Sequence, residues 1–137
     1  MRIDVVSVIV NNQDKAARFY TDKLGFTIKR DIPMGEARWL TLSSPEQPLG
    51  PELLIEPNNN PDIQINGKPA AQQYQRALYE TGIPFTMFMV DDIDAEYQRL
   101  TANGVEFKGA PVEVPGGKNA VFDDTCGNLI ALMEVSE

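Results

Sequence analysis

The chain has 137 residues, 42% of them apolar and 23% charged, which fits one globular domain and excludes a disordered polymer. Twelve basic against 20 acidic residues give a net charge of −8, which argues against nucleic acid and anionic membrane surfaces as partners, because phosphate contacts need Lys/Arg patches. With no histidine and one cysteine, Cys126, imidazole bases, imidazole metal ligands and an intramolecular disulfide framework are excluded.

In chain order, residues 3–10 are β-branched and apolar and predict a strand. This opening runs straight into a helix signal, so it reads as a first strand and not as a signal peptide. Asn11 and Asn12 are N-cap candidates. Ala16, Phe19, Tyr20 and Leu24 then share one helical stripe, and Gly25 supplies the left-handed stop. Residues 26–30 resume an extended pattern, and Pro33-Met34-Gly35 predicts a turn. Strands are expected at 38–42 and, after a Pro/Ser/Gly-rich loop, at 52–56. Residues 58–68 form a polar connector, and Pro69 opens a helix closed by Gly82 that has no partner elsewhere in the chain and reads as a surface linker. A strand at 85–90, a helix capped by Asp91 or Asp92 and ended by Gly104, and strands near 105–107, 112–114, 118–122 and 129–135 complete the pattern. No apolar run reaches the roughly 18 residues needed to cross a bilayer, so the expectation is a cytoplasmic protein.

The order strand, helix, three strands therefore occurs twice. VSVIVNNQDKAARFYTDKLGF returns as FTMFMVDDIDAEYQRLTANGVEF, with Val10 over Val90 and Leu24-Gly25-Phe26 over Asn103-Gly104-Val105, so one residue slips inside the helix. Glu52-Leu53-Leu54 lies over Ala131-Leu132-Met133 in the same alignment. The period is too long for a solenoid and suits two half-domains that fold together, with module one at 1–57, a linker with a helix at 58–82 and module two at 83–137. The fold class is α+β: two tandem βαβββ modules that form a curved mixed sheet around a cleft, with a ligand pocket expected at the seam.

The run Phe19-Tyr20 before Leu24-Gly25-Phe26, the repeated Val90-Asp91-Asp92 and the late Phe122-Asp123-Asp124-Thr125-Cys126-Gly127-Asn128-Leu129 resemble the vicinal oxygen chelate superfamily. That group includes glyoxalase I, bleomycin resistance proteins and extradiol dioxygenases. The resemblance implies four metal positions, one on the first and one on the last strand of each module, and these fall on Val5, Glu52, Phe85 and Ala131. Only Glu52 has a donor side chain, and one carboxylate does not hold a divalent ion. The pattern is similar to the metal-free, ligand-binding branch, which implies no cofactor, a small organic ligand and a homodimer. A metal-dependent lyase or dioxygenase with a non-standard site, and a structural or regulatory module with a vestigial cleft, are the alternative readings.

The candidate cleft residues are Glu52, Trp39, Val5 and Ser7 from the first module and Phe85, Met87, Ala131 and Met133 from the second, paired by strand alternation. Glu52 is either a cleft carboxylate that grips a ligand or a solvated strand-end charge. Trp39, the only tryptophan, is either a stacking platform or core. The remaining candidates give the cleft an apolar, Met-adaptable lining or belong to ordinary core. Asp91-Asp92 reads as helix cap and Asp123-Asp124 as turn chemistry, and Cys126 reads as a turn thiol with no base to activate it.

Overall fold

The computed structural model describes residues 1–136 and builds each half of the repeat into its own sheet. The first half runs β1 (Val5–Val10), α1 (Gln13–Arg18), β2 (Thr27–Met34), β3 (Ala37–Ser43) and β4 (Glu52–Pro57). The connector holds a hairpin of β5 (Gln64–Ile65) and β6 (Lys68–Pro69), followed by α2 (Ala70–Glu80). The second half runs β7 (Thr86–Met89), α3 (Ile93–Ala102), β8 (Glu106–Phe107), β9 (Val112–Val114), β10 (Gly117–Asp123) and β11 (Leu129–Val135). In the first sheet β1 is parallel to β4, β4 antiparallel to β3, and β3 antiparallel to β2. In the second, β7 is parallel to β11, β11 antiparallel to β10, and β10 pairs with both β8 and β9. The order and directions are the same, and the α+β fold of two repeated modules follows. Each sheet is hydrogen-bonded as a separate ladder.

The slipped residue of the repeat has a structural cause. Asn12 and Asp92 cap α1 and α3 in the same way, each side chain accepting the backbone N–H three residues on. Gly25 and Gly104 then end the two helices at φ of +89° and +88°, yet one more residue separates Asn12 from Gly25 than Asp92 from Gly104. That residue is absorbed by a π-helical turn at Phe19–Lys23, where the Leu24 N–H donates to the Phe19 carbonyl at 3.3 Å. A π-turn holds one extra residue without breaking the helix. Here it turns two consecutive aromatics, Phe19 and Tyr20, into the core.

Neither sheet has a core of its own. Val8, Leu40 and Ile55 from the first sheet are fully buried in one cluster with Ile93, Phe122 and Ile130 from the second half. Phe19 of the first helix reaches Phe122 at a ring separation of 6.1 Å, and Tyr20 meets Phe88 edge-on at 6.5 Å. Fully burying each such aromatic contributes about 1.5–3 kcal/mol, which a single module could not realise. At the helix ends, Lys23 Nζ donates to the Asn103 carbonyl at 2.8 Å and the Asn103 amide to the Asp22 carbonyl at 3.1 Å.

A buried polar network completes the join. Asp124, with no exposed surface, accepts from the Tyr20 hydroxyl at 2.6 Å, from the Cys126 and Asn128 backbone N–H groups, and from Asn128 Nδ2. Asn128 Nδ2 and Gln75 Nε2 both donate to the Ile9 carbonyl, and Asn58 donates to Gln75 Oε1 at 2.8 Å. Through Gln75, 4% exposed, α2 belongs to this junction and does not simply lie across the surface as the sequence suggested. The strand β2 also continues through Pro33 and Met34, with the turn at Gly35, because as an edge strand β2 does not need the Pro33 N–H. Among the described residues no helix is long and apolar enough to cross a membrane.

Candidate functional site

Residues paired across a ladder share one face of a sheet. Val5 pairs with Glu52, Ser7 with Leu54, Leu54 with Thr41, Thr41 with Arg30, and Trp39 with Ile32. The first sheet therefore gathers Val5, Ser7, Glu52 and Trp39 on the face opposite the one that carries Val8, Leu40 and Ile55 into the core. Glu52 is fixed there. Its Oε1 accepts from the Thr41 hydroxyl at 2.7 Å and from Arg30 Nε at 3.1 Å, and its side chain is 13% exposed. The Thr41 hydrogen bond and the Arg30 charge hold the Glu52 carboxyl below its ordinary range, against a partial desolvation that pushes the other way. Glu52 is thus an anchored carboxylate at neutral pH.

Farther along the same face, past the half-buried Trp39, the register carries Ile9, Glu56, Ala37 and Met34 to the wall of a cavity of about 940 Å³. Asp62 and Ile63 of the connector and Asp14 of α1 close its other side. Asp14, Glu36, Glu56 and Asp62 face one cation, Arg38, which is itself paired with Asp14 and Asp31. Ile9, Ala37 and Met34 give it apolar contact, Asn11, Asn12, Gln13, Asn59 and Asn60 give it amides, and the carboxylates outnumber the one cation, which suits a neutral or cationic organic molecule. Val5, Ser7, Glu52 and Trp39 lie beside it on the face and do not line it.

The second sheet gathers the other candidates. Met87 pairs with Ala131 and Met89 with Met133, and Phe85 precedes them, its N–H bonded to the Leu129 carbonyl at 2.8 Å. Met87 and Met89 are 50% and 55% exposed, Ala131 is buried, and Phe85 is packed edge-on against Tyr74 of α2. The eight residues therefore form two groups of four on two sheets. Among the described residues no hydrogen bond or ring contact links the groups.

A family model described as the Glyoxalase/Bleomycin resistance protein/Dioxygenase superfamily matches residues 2–132. The chain belongs to this superfamily. It is 48% identical over 134 residues to the uncharacterized protein YurT of Bacillus subtilis, covering 98% of this chain and 99% of that one. YetH of the same organism is 35% identical over 136 residues, covering 97% and 98%. Among solved structures the fold is similar to UcmS2, with a TM-score of 0.81, 32% identity and 98% of each chain covered. It is also similar to TnmS3, an antibiotic binding protein from Streptomyces sp. CB03234, with a TM-score of 0.73, 27% identity and 99% and 97% coverage.

Membership in the superfamily raises the question of a metal, and the ladder register sharpens the answer. The helix caps set Val5 equivalent to Phe85 and Ser7 to Met87, and the partners of Ser7 and Met87 are Leu54 and Ala131. The residue equivalent to Ala131 is therefore Leu54, two positions on from the Glu52 that the sequence alignment chose. Val5, Leu54, Phe85 and Ala131 offer no side-chain donor atom, and the Glu52 carboxylate is occupied by Thr41 and Arg30. Among the described residues no three acidic or thiol side chains gather as ligands either. These side chains do not fit a divalent ion.

Thr41 and Arg30 escaped the sequence reading. Thr41 was recoverable, since it alternates with Trp39 along β3. Arg30 was not, because the register shifts between Ile28 and Arg30 and this irregularity turns Arg30 onto the Glu52 face.

Proposed function

We propose that this protein is a cytoplasmic, metal-free member of the superfamily that binds a small neutral or cationic organic molecule on the face of its first sheet opposite the shared core. The observation that carries this reading is the row of Arg30, Glu52 and Thr41 beside Trp39, leading into the acidic-rimmed chamber. Glu52 supplies a fixed acceptor, Trp39 a ring to stack on, and the apolar wall of Ile9 and Met34 the contact area. Binding, in the sense of sequestration or recognition, requires nothing more. The antibiotic-binding description of TnmS3 supports the same class of ligand. We also propose a homodimer, supported by the apolar residues Met87, Met89 and Val135, each at least half exposed on the corresponding face of the second sheet.

A thermal-shift screen with aromatic, cationic and thiol-conjugate compounds tests the reading, because a ligand of the folded state raises its apparent stability by mass action. Hits that lose their effect on Trp39→Ala or Glu52→Gln support it. Hits that require an added divalent metal favour a metal-dependent enzyme, and no hits across a broad library favour a vestigial cleft.

A further inference from the structure

The seam between the modules also holds a chamber, and it lies on the other side of the first sheet. Docked through Gln13, which donates to the Arg38 and Ile55 carbonyls at 2.9 Å each, α1 covers the Ile55 end of β4. It then leans across to the second half through Phe19 and Phe122. Beyond α1, at the Leu53 end of the same face, a cavity of about 700 Å³ opens beside the core, with Leu53 itself only 8% exposed. Its walls are Val6, Phe26, Leu42 and Leu53 from the first module and Phe88 and Leu132 across the seam, with Phe26 and Phe88 in edge-to-face contact at 5.3 Å. Of the eight residues singled out in the sequence, only Met87 borders it.

The walls are apolar and the rim is charged. Arg99 is held by Glu96 at 2.7 Å, so that pair is internally neutral. Glu46, on the loop before β4, and Asp91, just ahead of the capping Asp92, both line the mouth. Neither has an ion-pair partner among the described residues. A volume of this size admits a drug-sized molecule, and two uncompensated carboxylates over apolar walls favour a protonated amine on a flat hydrocarbon body. We propose that the seam chamber is a second ligand site, separate from the Glu52–Trp39 face, that takes amphipathic aromatic amines. Because it is built from both modules, its occupant also bridges them.

The probe is 1-naphthylmethylamine, with 1-naphthaleneacetate as the same ring carrying the opposite charge. Amide chemical shifts of the full-length protein, recorded during titration, locate each. The expected result is saturable perturbation at Val6, Phe26, Leu53 and Arg99 by the amine, with much weaker binding of the acetate. Removing both rim charges (Asp91→Asn with Glu46→Gln) lowers amine affinity about fivefold or more. Val6→Trp, which fills the mouth from a side chain already 47% exposed, abolishes these shifts, whereas Trp39→Ala leaves them in place. Perturbation confined to Trp39, Thr41 and Glu52 overturns the second site while leaving the first reading intact. Absence of saturable shifts at the seam overturns it as well, and equal binding of amine and acetate overturns the ligand class. The wild-type mapping decides the matter even where a variant fails to fold.

Discussion

Replacing Tyr20 by phenylalanine removes one hydroxyl from the inter-module junction and nothing else. That hydroxyl donates to Asp124 at 2.6 Å in a site with no exposed surface, and a hydrogen bond to a charged group there contributes about 1.5–3 kcal/mol. Asp124 keeps its bonds from Cys126 N, Asn128 N and Asn128 Nδ2, so the variant folds and the loss stays near 2 kcal/mol. The cost also depends on pH in a definite direction. Burial raises the Asp124 carboxyl above its ordinary value, while the Tyr20 bond pulls it down. A group raised in the folded state contributes stability that is fully present below its unfolded pKa and is lost as pH rises through its folded pKa. Removing the Tyr20 bond raises Asp124 further and enlarges that loss. The gap between wild type and Tyr20→Phe therefore widens from pH 5.5 to pH 8. Urea denaturation at the two pH values measures it. With a slope of about 2 kcal/mol/M, the midpoint falls by about 1 M at pH 8 and by less at pH 5.5. A loss under about 0.5 kcal/mol at pH 8, or the same loss at both, would refute the coupling of Tyr20 to an ionised Asp124.

Three further outcomes are expected. Glu52 is lowered in the folded state, so its stabilising contribution is present above its unfolded pKa and is lost as pH falls through the folded one; Glu52→Gln removes about 1 kcal/mol at neutral pH and flattens the acid limb of a stability–pH curve, and an unchanged limb would count against the Thr41–Glu52–Arg30 cluster. A Cβ on Gly117 would lie 1.9 Å from the Glu134 carbonyl oxygen, so Gly117→Ala costs about 3 kcal/mol or more in thermal or urea unfolding, and a near-neutral variant would show that β10 and β11 are not in this register. Burial pushes the Cys126 thiol up to about 12, so it stays protonated at pH 8 and reacts with a disulfide reagent only as fast as the protein opens; rapid labelling of the folded protein would contradict its placement.

Much of the architecture was legible because the chain repeats it. Two capping residues, two stop glycines and two apolar opening strands are local signals, and each falls within a residue or two of where the structure has it. The one-residue slip in the repeat was visible too, but sequence could not say that a π-turn absorbs it, since that depends on Phe19 and Tyr20 finding core on the opposite module. Pairing was harder to read. Alignment placed Glu52 opposite Ala131 in the repeat, whereas the ladder puts Leu54 there, because register is set by hydrogen bonds between strands far apart in the chain. The role of Asp124 was hidden for a similar reason. Its turn chemistry is local and was expected, while its partner Tyr20 lies more than a hundred residues away.

The central claim is that the face carrying Glu52 and Trp39 binds a small organic molecule without a metal. Because Trp39 is the only tryptophan, its emission reports on this face alone. The most direct measurement is therefore a titration of Trp39 fluorescence with the strongest compound from the thermal-shift screen, carried out in excess EDTA. A saturable change in emission that persists in chelator and weakens at least tenfold in Glu52→Gln is the predicted result. If no stabilising compound changes Trp39 emission, or if the change appears only after a divalent ion is restored, the claim is contradicted.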